Sequence, residues 1–178
     1  WKLSSENGLK IEGKSILDAI EARNGDAVTY VADAASVAAS YPENTTAIVV
    51  VGEKSGTHEP AWGTTTLEFP EEQQSLIKSL DAAGVNVIAV VLMNRAYVMT
   101  PIDQASDAVL IAYRPGVTAG AEAIAHVLYG DCAVTGKLPW QIPASMDQVL
   151  LQREDLPKDI EDPLYDYGYG IELTAFGK

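Results

Sequence analysis

Residues 53–62 carry Glu53, His58, Glu59 and Trp62 within ten positions. A carboxylic acid beside an indole face is a pairing that sugar chemistry uses: the ring stacks on the sugar and the acid protonates the departing oxygen. The same residues also fit a solvated acidic loop with one Trp on a neighbouring surface, and residue types alone favour that plainer alternative. Arg95, in Asn94-Arg95-Ala96-Tyr97, suits a ligand carboxylate or hydroxyl. The commoner use of such an Arg is to lock a helix start to a neighbouring loop. Arg114-Pro115-Gly116 opens a helix whose N-terminus can hold an anion, but it also suffices for a tight turn, the reading we prefer. His126 reads as a surface or rim histidine in mid-helix with no evident partner. Nothing marks Cys132 as activated. Asn44-Thr45-Thr46 matches the glycosylation sequon, a short and common motif.

Whole classes of function drop out on composition. Twelve Lys and Arg against twenty-five Asp and Glu give a net charge of −13, so neither nucleic acid nor an anionic membrane is an expected partner. No apolar run approaches the ~18 residues of a membrane span. One cysteine excludes an internal disulfide and a Cys-based zinc site, and two histidines leave little for a His-ligated metal. There is no glycine-rich dinucleotide fingerprint or phosphate loop. No cofactor and no metal are expected. The acidic balance fits a secreted, periplasmic or cytoplasmic protein alike.

These residues need elements to position them. Residues 14–23 place Ile16, Leu17 and Ile20 on one helical face, with Asn24-Gly25 as a stop that uses glycine for positive φ. Residues 27–31 read as a short strand and 32–40 as an Ala-rich helix, followed by a turn at 41–44. Residues 47–51 form a continuous β-branched run, the pattern of a parallel strand covered on both faces. Residues 54–66 form a loop long enough to suspect a function. A helix begins at Pro70, with Glu71 and Glu72 at its positive end, buries Leu76, Ile77 and Leu80, and stops at Gly84. Residues 85–93 and 108–112 are two more strands. A helix capped by Thr118 runs to about Tyr129, with Ile124, Val127 and Leu128 inward, and Gly130-Asp131 closes it. Residues 138–142 read as an edge strand, 153–163 as a surface excursion and 162–170 as an aromatic, glycine-rich end. Alternating strands and helices predict an α/β fold with a mostly parallel sheet. Ligands of such sheets bind beyond the carboxyl ends of the strands, which singles out the segments after Val51, Met93 and Ala112.

Five segments in register carry a resemblance. They are Ala47-Ile-Val-Val-Val-Gly-Glu53 with Leu67-Glu-Phe-Pro-Glu-Glu-Gln-Gln74; Val90-Val-Leu-Met-Asn-Arg-Ala-Tyr97; Ser106-Asp-Ala-Val-Leu-Ile-Ala-Tyr-Arg-Pro-Gly116; Glu122-Ala-Ile-Ala-His-Val-Leu-Tyr-Gly-Asp131 with Gly136-Lys-Leu-Pro139; and Asp162-Pro-Leu-Tyr-Asp-Tyr-Gly-Tyr-Gly-Ile171. In this order the chain resembles the C-terminal α/β-sandwich domain of glycoside hydrolase family 3, the family of β-glucosidases and exo-β-glucanases. The similarity runs from about Trp1 to Glu172.

The resemblance implies a single α/β-sandwich domain over residues 1–178, with a sheet of about six strands between helices in flavodoxin-like layering. It implies an N-terminal (β/α)₈ barrel as partner domain, which carries the aspartate nucleophile and most contacts to the terminal sugar. It implies a β-linked oligosaccharide or glucoside as substrate. The role of acid/base falls on Glu59, while Glu53, in the Gly-Glu pattern after the strand, reads as a positioning or structural carboxylate. Trp1, Trp62 and His58 are the implied substrate contacts. Where some members have a second Trp this chain has Ser5, leaving Trp62 to stand in at the aglycone side. The alternative is a non-catalytic module that caps the barrel, since some relatives keep the acid inside it. A free-standing binding protein that has lost the barrel is a third. Trp1 in place of Met, with no barrel sequence and no counterpart of the sheet's first strand, makes this chain one portion of a longer or processed enzyme, expected to be inactive alone.

Overall fold

The computed structural model describes residues 13–32, 41, 44–53, 66–116, 119–153, 156 and 158–173. The chain divides into two compact units. One comprises Asp33–Tyr113 and Lys137–Gly170; the other comprises Trp1–Ala32, Arg114–Gly136 and Ile171–Lys178.

The first unit holds the sheet. Strands β1 (Thr46–Gly52), β2 (Asn86–Leu92) and β3 (Ala108–Ile111) are parallel in the order β1-β2-β3. The register aligns Gly52 with Leu92, and Val91 with both Val51 and Ile111. This is the α/β architecture with a parallel sheet, and three of the expected six or so strands lie among the described residues. Odd-numbered positions share one face: Val49, Val51, Val87, Ala89, Val91 and Met93 join one apolar cluster, with Val109 and Ile111 packed against it. Helix α2 (Glu71–Ala82) contributes Ile77 and Leu80 to the same cluster. Two-sided coverage holds for the central strand, where Val90 on the opposite face is also fully buried, but Val50 of β1 is 37% exposed. Among the described strands β2 has a neighbour on each side and β1 on one side only.

Sequence chemistry explains the element ends. Gly84, at φ +74°, lets Val85 N–H reach the Leu80 carbonyl at 3.1 Å and ends α2. Asp107, just before β3, fixes its register, because its carboxylate accepts from Val87 N–H at 2.7 Å while its own N–H donates to the Val87 carbonyl. Short α3 (Thr100–Asp103) precedes it, with Pro101 in its first turn and Ile102 fully buried.

The expected edge strand at 138–142 is a correction. Leu138 N–H donates to Tyr169 O, Gly168 N–H to Leu138 O, and Ile142 pairs with Tyr165. Pro139 and Pro143 lack the donors that a continuous ladder needs, so the pairing stays at separate points. In the second unit α1 (Ile16–Asn24) packs against α4 (Ala119–Leu128). Back in the first, residues 146–151 form α5 (Met146–Leu151), whose Leu150 and Leu151 are strongly exposed. Of the described residues in the excursion at 153–163 most are exposed, but Ile160 is buried.

Ser15 caps α1, and the Asp18 carboxylate accepts from Ser15 N–H to complete a capping box. The expected positive φ at Gly25 is not found. Gly25 has φ −54° and leads into a 3₁₀ turn, Gly25–Ala27. The expected strand at 27–31 is likewise absent: Val28 is extended, but no strand pairs with it among the described residues, and Tyr30 is 64% exposed. In α4, Ile124 is buried as expected while Val127 and Leu128 are half-buried, the remaining buried positions being Gly120, Ala121 and Ala125. Gly130, at φ +71°, closes α4 with Asp131 N–H on the His126 carbonyl. The helix expected at 32–40 lies almost wholly outside the described residues, as does the Thr118 cap.

Candidate functional site

Polar side chains gather where β1 and β2 end. Glu53 continues β1 by one residue, with its N–H on the Leu92 carbonyl at 3.1 Å. It is only 5% exposed. The Tyr97 hydroxyl donates to Glu53 Oε2 at 3.1 Å, and Arg95 Nε stands 3.8 Å from the same oxygen. The first is a hydrogen bond; the second is an ion pair without hydrogen-bond geometry. Gly52, one residue earlier, is clamped by Gln73 of α2. The Gln73 amide accepts from Gly52 N–H at 3.0 Å and donates to Gly52 O at 3.1 Å. The point where the chain leaves β1 is therefore tied to α2 and to the segment after β2.

Arg95 is ion-paired with Glu53 and stands five residues before the start of α3 at Thr100, so it does not hold a helix start. Neither Tyr97 nor Gln73 carries a mark of its role at this strand end in the sequence. A usable signal lay in the parallel register, which places the residues after Gly52 and Leu92 side by side.

Beyond β3, Tyr113 adopts φ +51°, a left-handed conformation that a bulky residue rarely takes. Its ring meets Trp140 edge-to-face, with centroids 5.7 Å apart. The Tyr113 hydroxyl and Trp140 Nε1 are both buried, with no hydrogen-bond partner among the described residues. Burial pushes the Tyr113 hydroxyl above its ordinary pKa, so it stays protonated. Tyr165 bonds Asp103 and stacks on Tyr169 at 4.8 Å. Burial first, and then that carboxylate, raise its pKa.

In the helix-pair unit His126 is not partnerless. Its Nδ1 lies 2.7 Å from Asp131 Oδ2, and Arg23 pairs with the same carboxylate while lying over the Tyr129 ring at 4.9 Å. An Nδ1 that donates to Asp131 has no lone pair for Arg23, whose 3.4 Å approach is then a contact only. The hydrogen bond from His126, ahead of Arg23, holds Asp131 below the usual aspartate range. The Arg114-Pro115-Gly116 stretch is non-helical, with Gly116 at φ +87°. Cys132 is exposed and free.

Glu59, His58 and Trp62 fall in 54–65 and Trp1 in 1–12, outside the described residues. Among the described residues no cluster of His, Cys, Asp and Glu could hold a metal, and no helix is long and apolar enough to cross a membrane.

Comparison with known proteins adds independent findings. The model of the glycosyl hydrolase family 3 C-terminal domain matches residues 4–173. A periplasmic beta-glucosidase of Salmonella typhimurium is 33% identical over 147 residues, covering 72% of this chain and 19% of that protein. A xylan 1,4-beta-xylosidase of Xylanibacter ruminicola is 35% identical over 118 residues, covering 63% of this chain and 14% of that protein. The chain thus spans 19% or less of these two relatives. Among solved structures, an exo-1,3/1,4-beta-glucanase from a Pseudoalteromonas species superposes with a TM-score of 0.70 at 28% identity, covering 90% of this chain and 20% of that one. A beta-D-glucoside glucohydrolase from Trichoderma reesei has the same fold, with a TM-score of 0.72 at 24% identity, covering 90% of this chain and 26% of that one.

Proposed function

The chain belongs to glycosyl hydrolase family 3, as its C-terminal domain, and from that premise we propose that it supplies the acid/base half of a retaining β-glycosidase active site. The observation that carries this reading is the family match over residues 4–173, which spans the segment between β1 and α2 that contains Glu59. The substrate is a terminal, non-reducing β-linked glucosyl or similar residue. The second half of the site is an aspartate on an N-terminal (β/α)₈ barrel of the same polypeptide.

The reaction is a double displacement. The barrel aspartate attacks the anomeric carbon as the Glu59 carboxyl gives its proton to the departing oxygen. Glu59, now a carboxylate, then takes a proton from water, whose oxygen displaces the aspartate. Two carboxyl groups suffice for this chemistry, which calls for no cofactor or metal. They must stand about 5–5.5 Å apart, so the docking of the two domains sets the geometry. Excluding water around Glu59 favours its protonated form at the start of the cycle. Trp62, Trp1 and His58 contact the sugar or its leaving group. The overall acidity fits a neutral glycoside better than a polyanion.

The test compares aryl β-glucoside turnover by the 178-residue chain alone and by the longer polypeptide that includes the barrel. Turnover is expected in the second sample only. Hydrolysis by the barrel-free chain, abolished by Glu59→Gln, overturns the division of labour.

A further inference from the structure

The chain has three methionines, and the fold treats one of them differently. Met93 and Met99 are wholly buried in the apolar cluster beside the sheet. Met146, in the first turn of α5, is half-buried, and its Sδ accepts the Leu67 N–H at 3.3 Å. A thioether is a weak acceptor, and backbone N–H groups are ordinarily matched with stronger ones. The Leu67 carbonyl accepts from Val98 N–H at 2.8 Å. The segment leading into α2 is therefore held on one side by the connection after β2 and on the other by this sulfur. The α5 side is itself fixed: Gln148 Oε1 accepts from Ala144 N–H at 2.7 Å, and the Ala144 carbonyl accepts from the Thr100 hydroxyl at 2.7 Å. The N–H···S bond thus joins two pinned segments through the one methionine that solvent reaches.

We infer that Met146 is a redox-sensitive modification site, where oxidation by hydrogen peroxide to the sulfoxide releases Leu67 from α5. The thioether sulfur attacks one peroxide oxygen. An S–O bond forms as the O–O bond breaks, the proton of the transferred oxygen passes to the departing one, and water leaves. Sulfur is oxidised by two electrons and the peroxide is reduced by two. At 3.3 Å there is no room for an oxygen between the Leu67 nitrogen and Sδ, so the oxygen enters on the sulfur lone pair that the N–H leaves open. A single sulfoxide epimer results. Its sulfur, having given electron density to oxygen, is a poorer acceptor for Leu67 N–H, and the side chain has become polar and draws toward water. Of the two sulfoxide reductases, each specific for one epimer, one reverses the change. None of this depends on which residue is the acid/base.

The test treats the barrel-containing polypeptide with dilute hydrogen peroxide, in a Cys132→Ser background that removes the exposed thiol. Peptide mass spectrometry follows each methionine, and hydrogen exchange follows the Leu67 amide. Met146 sulfoxide is expected to form about 10-fold or more faster than that of Met93 or Met99, as one epimer that only one reductase repairs. With Met146 oxidised, exchange of the Leu67 amide is expected to rise by about 10-fold or more, and to fall back on repair. Met146→Leu, of similar volume but with no acceptor, is expected to show the raised exchange without peroxide and no further response to it. Oxidation of Met146 no faster than that of the two core methionines overturns the site. Unchanged Leu67 exchange after Met146 oxidation or in Met146→Leu, or equal amounts of the two epimers, overturns the release of Leu67.

Discussion

Tyr97 reaches across the carboxyl ends of β1 and β2 to donate its hydroxyl to Glu53 Oε2 at 3.1 Å. The residue that follows one strand is thereby held by the connection that follows its neighbour. Both residues are buried, at 5% exposure for Glu53 and 4% for Tyr97, so the bond between them is shielded from water.

Removing either member is therefore expected to cost more than a surface hydrogen bond. Tyr97→Phe should destabilise the chain by about 1.5–3 kcal/mol, the range for a bond to a charged acceptor. The double variant Tyr97→Phe with Glu53→Gln should show a coupling of about 0.5–3 kcal/mol in urea melts. Because the Gln amide oxygen can still accept from the hydroxyl, additive losses would mean that the charge of Glu53 adds nothing to the bond.

Two glycines with opposite surroundings should respond in opposite directions. Gly25 has φ −54°, and apart from its neighbours in the chain no atom of the described residues lies within 4 Å of where a Cβ would go, so Gly25→Ala is expected to stabilise by about 0.4–1 kcal/mol. A Cβ on Gly120 would stand 2.3 Å from the Pro115 carbonyl oxygen. Gly120→Ala is expected to destabilise by about 1–3 kcal/mol as the chain shifts to make room. Thermal melts of the two variants check the signs.

Tyr113→Phe removes a buried hydroxyl that has no partner among the described residues. Deleting an unsatisfied polar atom avoids its desolvation cost, so the variant is expected to be as stable as the parent or more stable by up to about 1 kcal/mol. A clear loss in denaturant midpoint would show that the hydroxyl is bonded in solution.

The helix pair should be sensitive to acid. Asp131, Asp18 and Glu122 are each held below their ordinary pKa, by His126, by the backbone of Ser15 and by Lys14 respectively. A depressed carboxylate contributes stability that is present above its unfolded pKa, near 3.8 for Asp and 4.5 for Glu, and is lost as pH falls through the lower folded value. Tm is therefore expected to drop below about pH 4, with a shallower drop in Asp131→Asn. An unchanged acid slope in that variant would remove Asp131 from the set.

Most of the sheet was legible from residue order. The β-branched runs around Val49 and Val90 suit strands and little else, and the turn chemistry of Gly84 and Gly130 fixes where α2 and α4 end. Where the sequence misled, the cause was a competing local effect. Residues 138–142 have strand-forming types, but two prolines break the ladder. Val28 to Val31 have strand propensity but no partner strand among the described residues. Gly25 looked like a left-handed stop because Asn-Gly usually is one, yet the chain there continues into a 3₁₀ turn. The polar anchor was only half legible. Glu53 stood out by its place after β1, whereas Tyr97 and Gln73 become its surroundings only once the fold brings separate segments together.

The most direct test of the acid/base assignment is hydrolysis of an activated aryl β-glucoside by the barrel-containing polypeptide, parent against Glu59→Ala, with and without azide. The expected result is a slowed deglycosylation step in Glu59→Ala, restored by azide with release of the β-glycosyl azide. Near-parental turnover in Glu59→Ala, with no azide adduct, would contradict it and move the acid to the barrel.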